Sequence, residues 1–166
     1  MPDIIVKADR LKFNNKEYRC AYGKSGFAQN KFEGDNCTPI GKFPLREVLY
    51  RADRIETPKT KLPISEIQQN DGWCDDAEDI NYNRKVTLPH PARHEQLFRD
   101  EHIYDIIIVV GYNDAPPVKA KGSAIFIHLA RENYAGTEGC IALDKTDLLE
   151  ILHDLDENSH IIVEDS

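Results

Sequence analysis

The chain has 166 residues, which is long enough to bury a hydrophobic core as one domain without disulfide bonds. Its 29 acidic residues outnumber its 21 basic residues, and the net charge of −8 argues against nucleic acid or an anionic membrane surface as a partner. No window approaches the roughly 18 apolar residues of a membrane span. We therefore expect a single domain over 1–166 that neither binds nucleic acid nor inserts into a membrane.

The first third of the chain predicts β-strands. Short, partly alternating strands are expected at 3–8, 10–13 and 16–22, with Asn14-Asn15 as a tight hairpin turn. A further strand is expected at 41–50. Residues 53–101 are mostly polar and lack periodicity, so helical turns are predicted there only at 65–68 and 94–99. A segment of this length without a regular pattern is typical of a functional insertion.

The last third carries the densest hydrophobic pattern. The β-branched run at 103–111 predicts a strand that is buried on both faces, and further strands are expected at 123–129, 140–143 and 160–164. Apolar residues at 148, 149, 151, 152 and 155 predict an amphipathic helix over 144–155, with Asp144 or Thr146 as its N-cap. The expected fold class is mostly β (α+β), with one helix near the C-terminus.

Two of these strands place a histidine and a cysteine near each other. Alternation along 123–129 puts His128 on the same face as Ala124 and Phe126, where an imidazole needs a hydrogen-bond partner. Cys140 follows a glycine-rich turn that ends at Gly139. A thiol in reach of an imidazole is a nucleophile and base pair for acyl transfer. On local features alone, a buried structural cysteine and a hydrogen-bonded strand histidine are the more common case.

In such a pair the thiol is the nucleophile and the imidazole is the base. A free thiol has a pKa near 8.5 and is only slightly ionised at neutral pH, so an imidazole must accept its proton and later return it to a leaving amine. Gly139 allows a tight turn, and the backbone amides around Gly139 and Cys140 are suited to hold an oxyanion.

The four cysteines, at positions 20, 37, 74 and 140, do not suggest a metal site. No two of them have the Cys-x-x-Cys spacing of a zinc or redox motif. We therefore expect no metal site and no cofactor. Because the N-terminal segment does not resemble a secretory signal, reduced thiols are expected, with two disulfides as the alternative in an oxidising compartment.

The catalytic signature of the L,D-transpeptidase (YkuD) family resembles two segments of this chain, Phe126-Ile-His128 and Thr137-Glu-Gly-Cys140-Ile141. In that family a histidine is followed, after a short insert, by Ser/Thr-x-Gly-Cys-Ile/Val-Arg. The segment at 38–43 is similar to an upstream motif of the family, and blocks at 72–76, 81–83, 104–105 and 122–128 are similar to one branch of it. The likeness runs from about residue 20 to the end of the chain.

This resemblance implies an L,D-transpeptidase-like β-sandwich or barrel, with one C-terminal helix near the site and a long irregular insertion. It implies Cys140 as nucleophile, His128 as base and Gly139 as the residue that shapes the oxyanion site. The implied substrate is a peptidoglycan stem peptide or muropeptide, from which the thiol expels D-alanine, and Cys140 is expected to react with carbapenems.

The resemblance also suggests substrate-binding residues. These are Thr137, Tyr82, Asn83, Trp73 and Arg131. Trp73 offers a flat face for a sugar or a stem peptide, but a structural role beneath a loop is an equal alternative. Tyr82 and Asn83 lie in the same branch-like block.

The chain departs from the family pattern at two positions. Ala142 stands where the family usually has arginine, and Glu138 stands where it often has histidine. Arg131, Lys24 and Arg46 are candidates for the task of the missing arginine, although each is also an ordinary surface cation.

The expected acceptor and compartment depend on the N-terminal segment. It lacks the apolar run of a secretory signal. We therefore expect a cytoplasmic L,D-carboxypeptidase of murein recycling, with water as acceptor. A periplasmic L,D-transpeptidase that forms cross-links or exchanges D-amino acids is the alternative if the native N-terminus was trimmed, and a non-catalytic peptidoglycan-binding module is the third interpretation.

Overall fold

The chain folds around a curled sheet of nine strands in the computed structural model, which describes residues 2–165. In chain order, the strands are β1 (Ile4–Lys7), β2 (Arg10–Phe13), β3 (Lys16–Arg19), β4 (Phe27–Ala28), β5 (Thr38–Pro39), β6 (Gly41–Tyr50), β7 (Ile64–Glu66), β8 (Asp71–Cys74), β9 (Lys85–Thr87), β10 (His94–Gln96), β11 (Ile106–Val110), β12 (Phe126–Leu129), β13 (Ile141–Leu143) and β14 (His160–Val163). A short 3-10 turn spans Glu132–Tyr134, and the helix α1 spans Lys145–Asp154.

The large sheet is almost closed into a barrel. Its strand order is β13-β12-β11-β6-β14-β1-β2-β3, with β7 paired to β6. The two edges meet where Ala21, just beyond β3, exchanges backbone hydrogen bonds with Ala142 of β13, at 2.8 and 3.1 Å. The fold is therefore mostly β, with a barrel-like sheet and one helix. This confirms the expected fold class.

The hairpin between β2 and β3 confirms the turn predicted at Asn14-Asn15. Both residues have positive φ angles, 50° and 63°. A two-residue turn of this kind matches the twist of the flanking strands, and asparagine tolerates the left-handed conformation better than most residues.

One face of the sheet packs against the helix. Asp144 is the N-cap of α1, and its carboxylate accepts a hydrogen bond from the Thr146 amide at 3.1 Å. The buried side chains Leu148, Ile151 and Leu152 join the barrel core that also contains Ile127 from β12. Burial of this apolar stripe fixes the helix against β12.

The other face of the sheet is covered by the insertion. Strands β8, β9 and β10 form a separate three-stranded sheet in the order β10-β8-β9. Trp73 of β8 packs edge to face against Phe126 of β12, with ring centroids 5.1 Å apart. The insertion therefore covers the face of β12 that the sequence assigns to His128.

The helical turns predicted within the insertion are wrong. Ile64–Glu66 is the strand β7, which pairs in parallel with β6, and His94–Gln96 is the strand β10, which pairs with β8. Both segments satisfy their backbone groups by pairing with distant strands, and such pairing overrides weak local propensity. Among residues 2–165, no helix has the length and apolar character needed to cross a membrane.

Candidate active site

Cys140 and His128 face the same cavity. Strands β12 and β13 pair in parallel with His128 opposite Ala142, and Cys140 immediately precedes β13 on the same face. Both side chains line a cavity of about 400 Å³. His128 is only 3% exposed and Cys140 only 7%, so the reactive groups lie at the bottom of this cavity.

The orientation of the imidazole is fixed by the main chain. Nδ1 of His128 lies 2.9 Å from the carbonyl oxygen of Leu129. Because a carbonyl only accepts, Nδ1 must carry the proton, and Nε2 keeps its lone pair. The ring also packs edge to face against Tyr104, with centroids 5.3 Å apart. His128 is therefore held in the tautomer that a general base requires.

The thiol of Cys140 is held by the backbone. Sγ donates a hydrogen bond to the carbonyl of Ala124 and accepts one from the amide of Phe126, each at 3.3 Å. In this arrangement its partners belong to the segment that leads into β12. The thiol must release Ala124 before its proton can pass to His128.

Burial keeps both reacting groups neutral. It raises the pKa of the Cys140 thiol to about 12, the nearby Glu95 carboxylate raises it further, and the Phe126 amide opposes the change. Burial also lowers the pKa of His128 to about 4, and the cations Arg131 and Arg99 act in the same direction. The resting pair is thus a thiol and a neutral imidazole, so proton transfer must accompany attack on the substrate.

The turn before Cys140 is built by Thr137 and Gly139. Oγ1 of Thr137 donates to the Cys140 carbonyl at 2.6 Å and accepts from the Gly139 amide at 3.0 Å. Gly139 has a φ of +138°, and a Cβ atom there would lie 2.7 Å from the Cys37 carbonyl oxygen. Only glycine fits this position without displacing the backbone. Thr137 and Gly139 therefore shape the loop that presents the thiol.

A second set of polar side chains holds the strand on the other side of the thiol. Oδ1 of Asn83 accepts from the Trp73 indole and from the Ala124 amide, both at 3.0 Å. Its amide group donates to the carbonyls of Tyr112 and Asn113, at 3.0 and 2.7 Å. Asn83 thus satisfies all its hydrogen-bonding capacity and fixes Ala124, the residue whose carbonyl holds the thiol.

Three of the predicted substrate contacts do not reach the cavity wall. Trp73 packs on Phe126, Asn83 supports Ala124, and Tyr82 donates to Glu33 at 2.7 Å while it accepts from the Gly122 amide. The strand β12 is shorter than predicted, because it begins at Phe126 and not at 123. Ala124, which Asn83 supports, has a left-handed φ of 53° that is incompatible with an extended strand.

Thr137, Arg131 and Lys24 line the cavity, together with charged residues that the sequence did not indicate. The basic residues at its wall are Lys24, Arg93, Arg99 and Arg131, and the acidic residues are Glu33, Asp75, Glu95 and Glu138. Arg93, Glu95 and Arg99 come from the insertion, where no periodicity pointed to them. The mixture of charges suits a ligand that carries both carboxylate and ammonium groups.

Glu95 is a half-buried acid in this wall, with its side chain 19% exposed. Its Oε1 accepts the Tyr104 hydroxyl at 2.6 Å and an Arg99 Nη2 at 3.0 Å. Burial raises the pKa of Glu95, while Tyr104 and Arg99 oppose that change. The Arg99 guanidinium also lies over the Tyr104 ring, 4.4 Å from its centroid. The Tyr104 ring contacts the His128 imidazole, and the Glu95 carboxylate raises the pKa of Cys140.

The three cations proposed to replace the family arginine differ in position. Ala142 is buried where the two edges of the large sheet meet at Ala21, so this position supplies no cation to the cavity. Arg46 pairs with Asp114 away from the cavity. Arg131 lines the cavity and pairs with Glu101 at 3.2 Å. Lys24 lines it too, and its side chain has no ion-pair partner among the residues described.

The comparisons with known proteins agree with this geometry. Nothing among curated proteins matches the chain. The family model of the YkuD L,D-transpeptidase catalytic domain matches residues 4–163, which is nearly the whole chain. The chain belongs to the YkuD family of L,D-transpeptidase catalytic domains, a family of cysteine-dependent enzymes that act on peptidoglycan peptides.

Proposed function

We propose that this chain is a cysteine-dependent L,D-carboxypeptidase that removes the terminal D-alanine from peptidoglycan tetrapeptides. The observation that carries the proposal is the shared cavity of Cys140 and His128, in which Nε2 of His128 is free to act as a base. The family supplies the class of substrate. The cavity supplies cations for the free carboxylate that marks the end of a peptide.

The reaction proceeds through an acyl-enzyme. Nε2 of His128 takes the thiol proton as Sγ of Cys140 attacks the carbonyl carbon that precedes D-alanine. The C–N bond then breaks, and His128 gives the proton to the departing D-alanine amine. Water attacks the thioester with His128 again as base, and the C–S bond breaks as the thiol is restored.

The oxyanion of each tetrahedral intermediate falls beside the turn at 137–140. The Gly139 amide already donates to Thr137, so we assign the oxyanion to the neighbouring amides, that of Cys140 among them. Preorganised donors of this kind typically contribute about 3 kcal/mol each to transition-state stabilisation.

Lys24 is the cation we assign to the carboxylate of D-alanine. Its backbone amide donates to the Thr137 carbonyl at 2.8 Å, so the residue is tied to the catalytic turn. Arg93 and Arg99, in contrast, are engaged with Asp75 and Glu95. Glu138 lies in the same wall with no ion-pair partner among the described residues, and it is suited to the amine of a diamino acid in the stem peptide.

Water is the proposed acceptor because the cavity is small. Its volume of about 400 Å³ lies near the lower end of the range for small-molecule sites, which suits the end of one peptide and not two crossing peptides. The cytoplasmic role in murein recycling is part of the same proposal. Fractionation of cells that produce the protein from its native gene checks the compartment.

Transpeptidation is the second candidate, and one observation favours it. The cavity adjoins two further clefts. One shares Lys24 and Gly136 with it, and the other shares Ile103 and Arg131. Either cleft offers room for an acceptor amine. The two functions use the same acyl-enzyme and differ only in what attacks the thioester.

Mass spectrometry with a disaccharide tetrapeptide tests the proposal. The wild-type protein is expected to yield the tripeptide and D-alanine, and Cys140→Ala is expected to yield neither while its circular dichroism spectrum is unchanged. Addition of a D-amino acid should give no exchanged product; a dominant exchanged product would favour transpeptidation. Failure of the wild type to cleave, together with failure of a carbapenem to add to Cys140, would favour a binding module.

A further inference from the structure

Three metal-ligating side chains converge within the insertion, on the face of β8 opposite to Trp73. Sγ of Cys74, a carboxylate oxygen of Asp79 and a ring nitrogen of His90 all lie within 4.8 Å of one another. Oδ2 of Asp79 is 3.4 Å from Sγ of Cys74 and 3.0 Å from Nε2 of His90. Cys74 is fully buried, whereas the side chains of Asp79 and His90 are 20% and 12% exposed.

Two of these separations, 3.4 and 3.0 Å, are close to those of a tetrahedral metal site, and small side-chain movements would accommodate an ion. Zinc lies about 2.0–2.3 Å from nitrogen, oxygen and sulfur ligands, so neighbouring ligand atoms in a tetrahedron are roughly 3.3–3.8 Å apart. A thiolate, a carboxylate and a neutral imidazole together carry two negative charges, which balance a divalent cation. The partial exposure of Asp79 and His90 leaves a route of entry from solvent.

The surroundings orient the ligands as a metal site requires. The Asn81 amide donates to Asp79 Oδ2 at 3.0 Å and fixes the carboxylate. His94 lies opposite Cys74 in the β10–β8 pairing, and its ring centroid is 6.3 Å from that of His90. Nδ1 of His94 donates to the Ala92 carbonyl at 2.9 Å, which leaves its Nε2 unprotonated, the form in which histidine binds metals.

The part of the insertion between β8 and β10 buries few side chains. Between positions 75 and 93, only Tyr82 and Asn83 are buried, and Ile80 is 91% exposed. A segment that cannot bury an apolar core is commonly held by disulfides or by a metal, and all four cysteines here are free thiols. This segment carries Asp75 and Arg93, both of which line the catalytic cavity.

We propose that Cys74, Asp79 and His90 bind a zinc ion that stabilises the insertion, with water or His94 in the fourth position. On binding, the Cys74 thiol releases its proton to solvent, and the imidazole proton of His90 moves to Nδ1 so that Nε2 can bind the ion. The ion ties the end of β8 to the two loops that flank β9. Its role is structural, and it is separate from the chemistry at Cys140.

Zinc titration of the purified full-length protein tests this inference, with conservative variants as the comparison. Cys74→Ser and His90→Gln can each still donate a hydrogen bond to Asp79 but are poor zinc ligands. We expect one zinc per wild-type chain and affinity weakened about 100-fold or more in each variant. Cobalt substitution should give a thiolate charge-transfer absorption in the wild type that Cys74→Ser abolishes.

Matched controls separate this site from the other thiols. Cys140→Ser and Cys37→Ser are expected to retain both the zinc stoichiometry and the cobalt absorption. Zinc should raise the melting temperature of the wild type and of Cys140→Ser, but not that of Cys74→Ser or His90→Gln. Equal zinc affinity in the wild type and in Cys74→Ser, or no binding by either, would show that the three side chains are only a hydrogen-bonded cluster.

Discussion

The carbonyl oxygen of Leu129 accepts a hydrogen bond from Nδ1 of His128, the residue immediately before it, at 2.9 Å. The group that orients the base is thus part of the same strand as the base itself. No third side chain is needed to select the tautomer, because the backbone of β12 provides a fixed acceptor. The base is therefore positioned as soon as β12 is paired with β11 and β13.

The first prediction concerns the pH dependence of catalysis. Because burial lowers the pKa of His128 to about 4, the imidazole is unprotonated above that pH. We expect kcat/KM for a tetrapeptide to rise as the pH increases through about 4 and then to remain level through neutrality. Steady-state kinetics between pH 3.5 and 8 provide the measurement, within the pH range where circular dichroism shows a folded protein. An acid limb centred near 6.5 would contradict the buried, neutral imidazole.

The same histidine links folding to pH. Its pKa is about 4 in the folded chain and about 6.5 when unfolded, so the unfolded state binds more protons between these values. The stability that His128 confers is complete above about pH 6.5 and is lost as the pH falls through 4, a difference of about 3 kcal/mol. Urea denaturation at pH 7 and pH 4.5 should show a larger loss for the wild type than for His128→Gln. Equal losses in the two proteins would show that His128 does not contribute to the pH dependence of stability.

Gly139→Ala tests the catalytic turn. The added Cβ would meet the Cys37 carbonyl at 2.7 Å in a left-handed backbone conformation, so we expect a loss of about 2–4 kcal/mol in unfolding free energy and a fall in kcat. Gly26→Ala is the matched control, because Gly26 also has a positive φ but no atom lies within 4 Å of its Cβ position. Its cost should be near 1 kcal/mol. Chemical denaturation and kinetics of both variants decide whether the clash or the strain dominates.

Asn83→Ala tests the support of the thiol. The change leaves the Ala124 amide and the Trp73 indole without their acceptor, and we expect it to cost about 2–4 kcal/mol in unfolding free energy and to lower kcat. Asn83→Asp keeps the acceptor and loses the bonds to the carbonyls of Tyr112 and Asn113. If Asn83 acts through Ala124, this second variant retains more activity than Asn83→Ala. The reverse order would place its function at the other two carbonyls.

Lys24→Ala tests the assignment of the carboxylate contact. We expect KM for the tetrapeptide to rise about tenfold, with a smaller effect on kcat, because the lysine contributes a charge-assisted contact to binding. Lys24→Arg should restore most of the affinity. A tetrapeptide with an amidated C-terminus serves as the internal control. It lacks the carboxylate, so its KM should be similar in the wild type, Lys24→Ala and Lys24→Arg. An unchanged KM in Lys24→Ala would assign the carboxylate to Arg131 or another cation.

The sequence predicted those features that depend on local pattern. Alternation along β12 placed His128 on the face of Phe126, and the glycine-rich turn located Cys140. Periodicity also predicted the helix, and the structure selects Asp144 from the two N-caps that the sequence left open. What local pattern could not predict is pairing between distant segments. Residues 94–96 form a strand only because β8 lies beside them, and Glu95 reaches the cavity for the same reason.

The surroundings of some side chains could not be predicted because they depend on segments that are distant in the sequence. Trp73 could equally have faced a substrate or a protein core, and only the packing of the small sheet on Phe126 distinguishes the two. The cluster of Cys74, Asp79 and His90 has no recognisable ligand spacing, because its members converge through two loops and a strand pair. Spacing rules detect sites built on one helix or one hairpin, and this cluster is built on neither.

The position of β14 constrains how the domain can be made. This strand, near the end of the chain, lies between β1 and β6 in the large sheet. The facing edges of β1 and β6 therefore lack their common partner until residues 160–163 have been synthesised. Closure of the sheet depends on this long-range pairing, which is expected to make folding slow. A ribosome stalled before residue 160 would display β1 and β6 with exposed edges, a state open to chaperones and to aggregation.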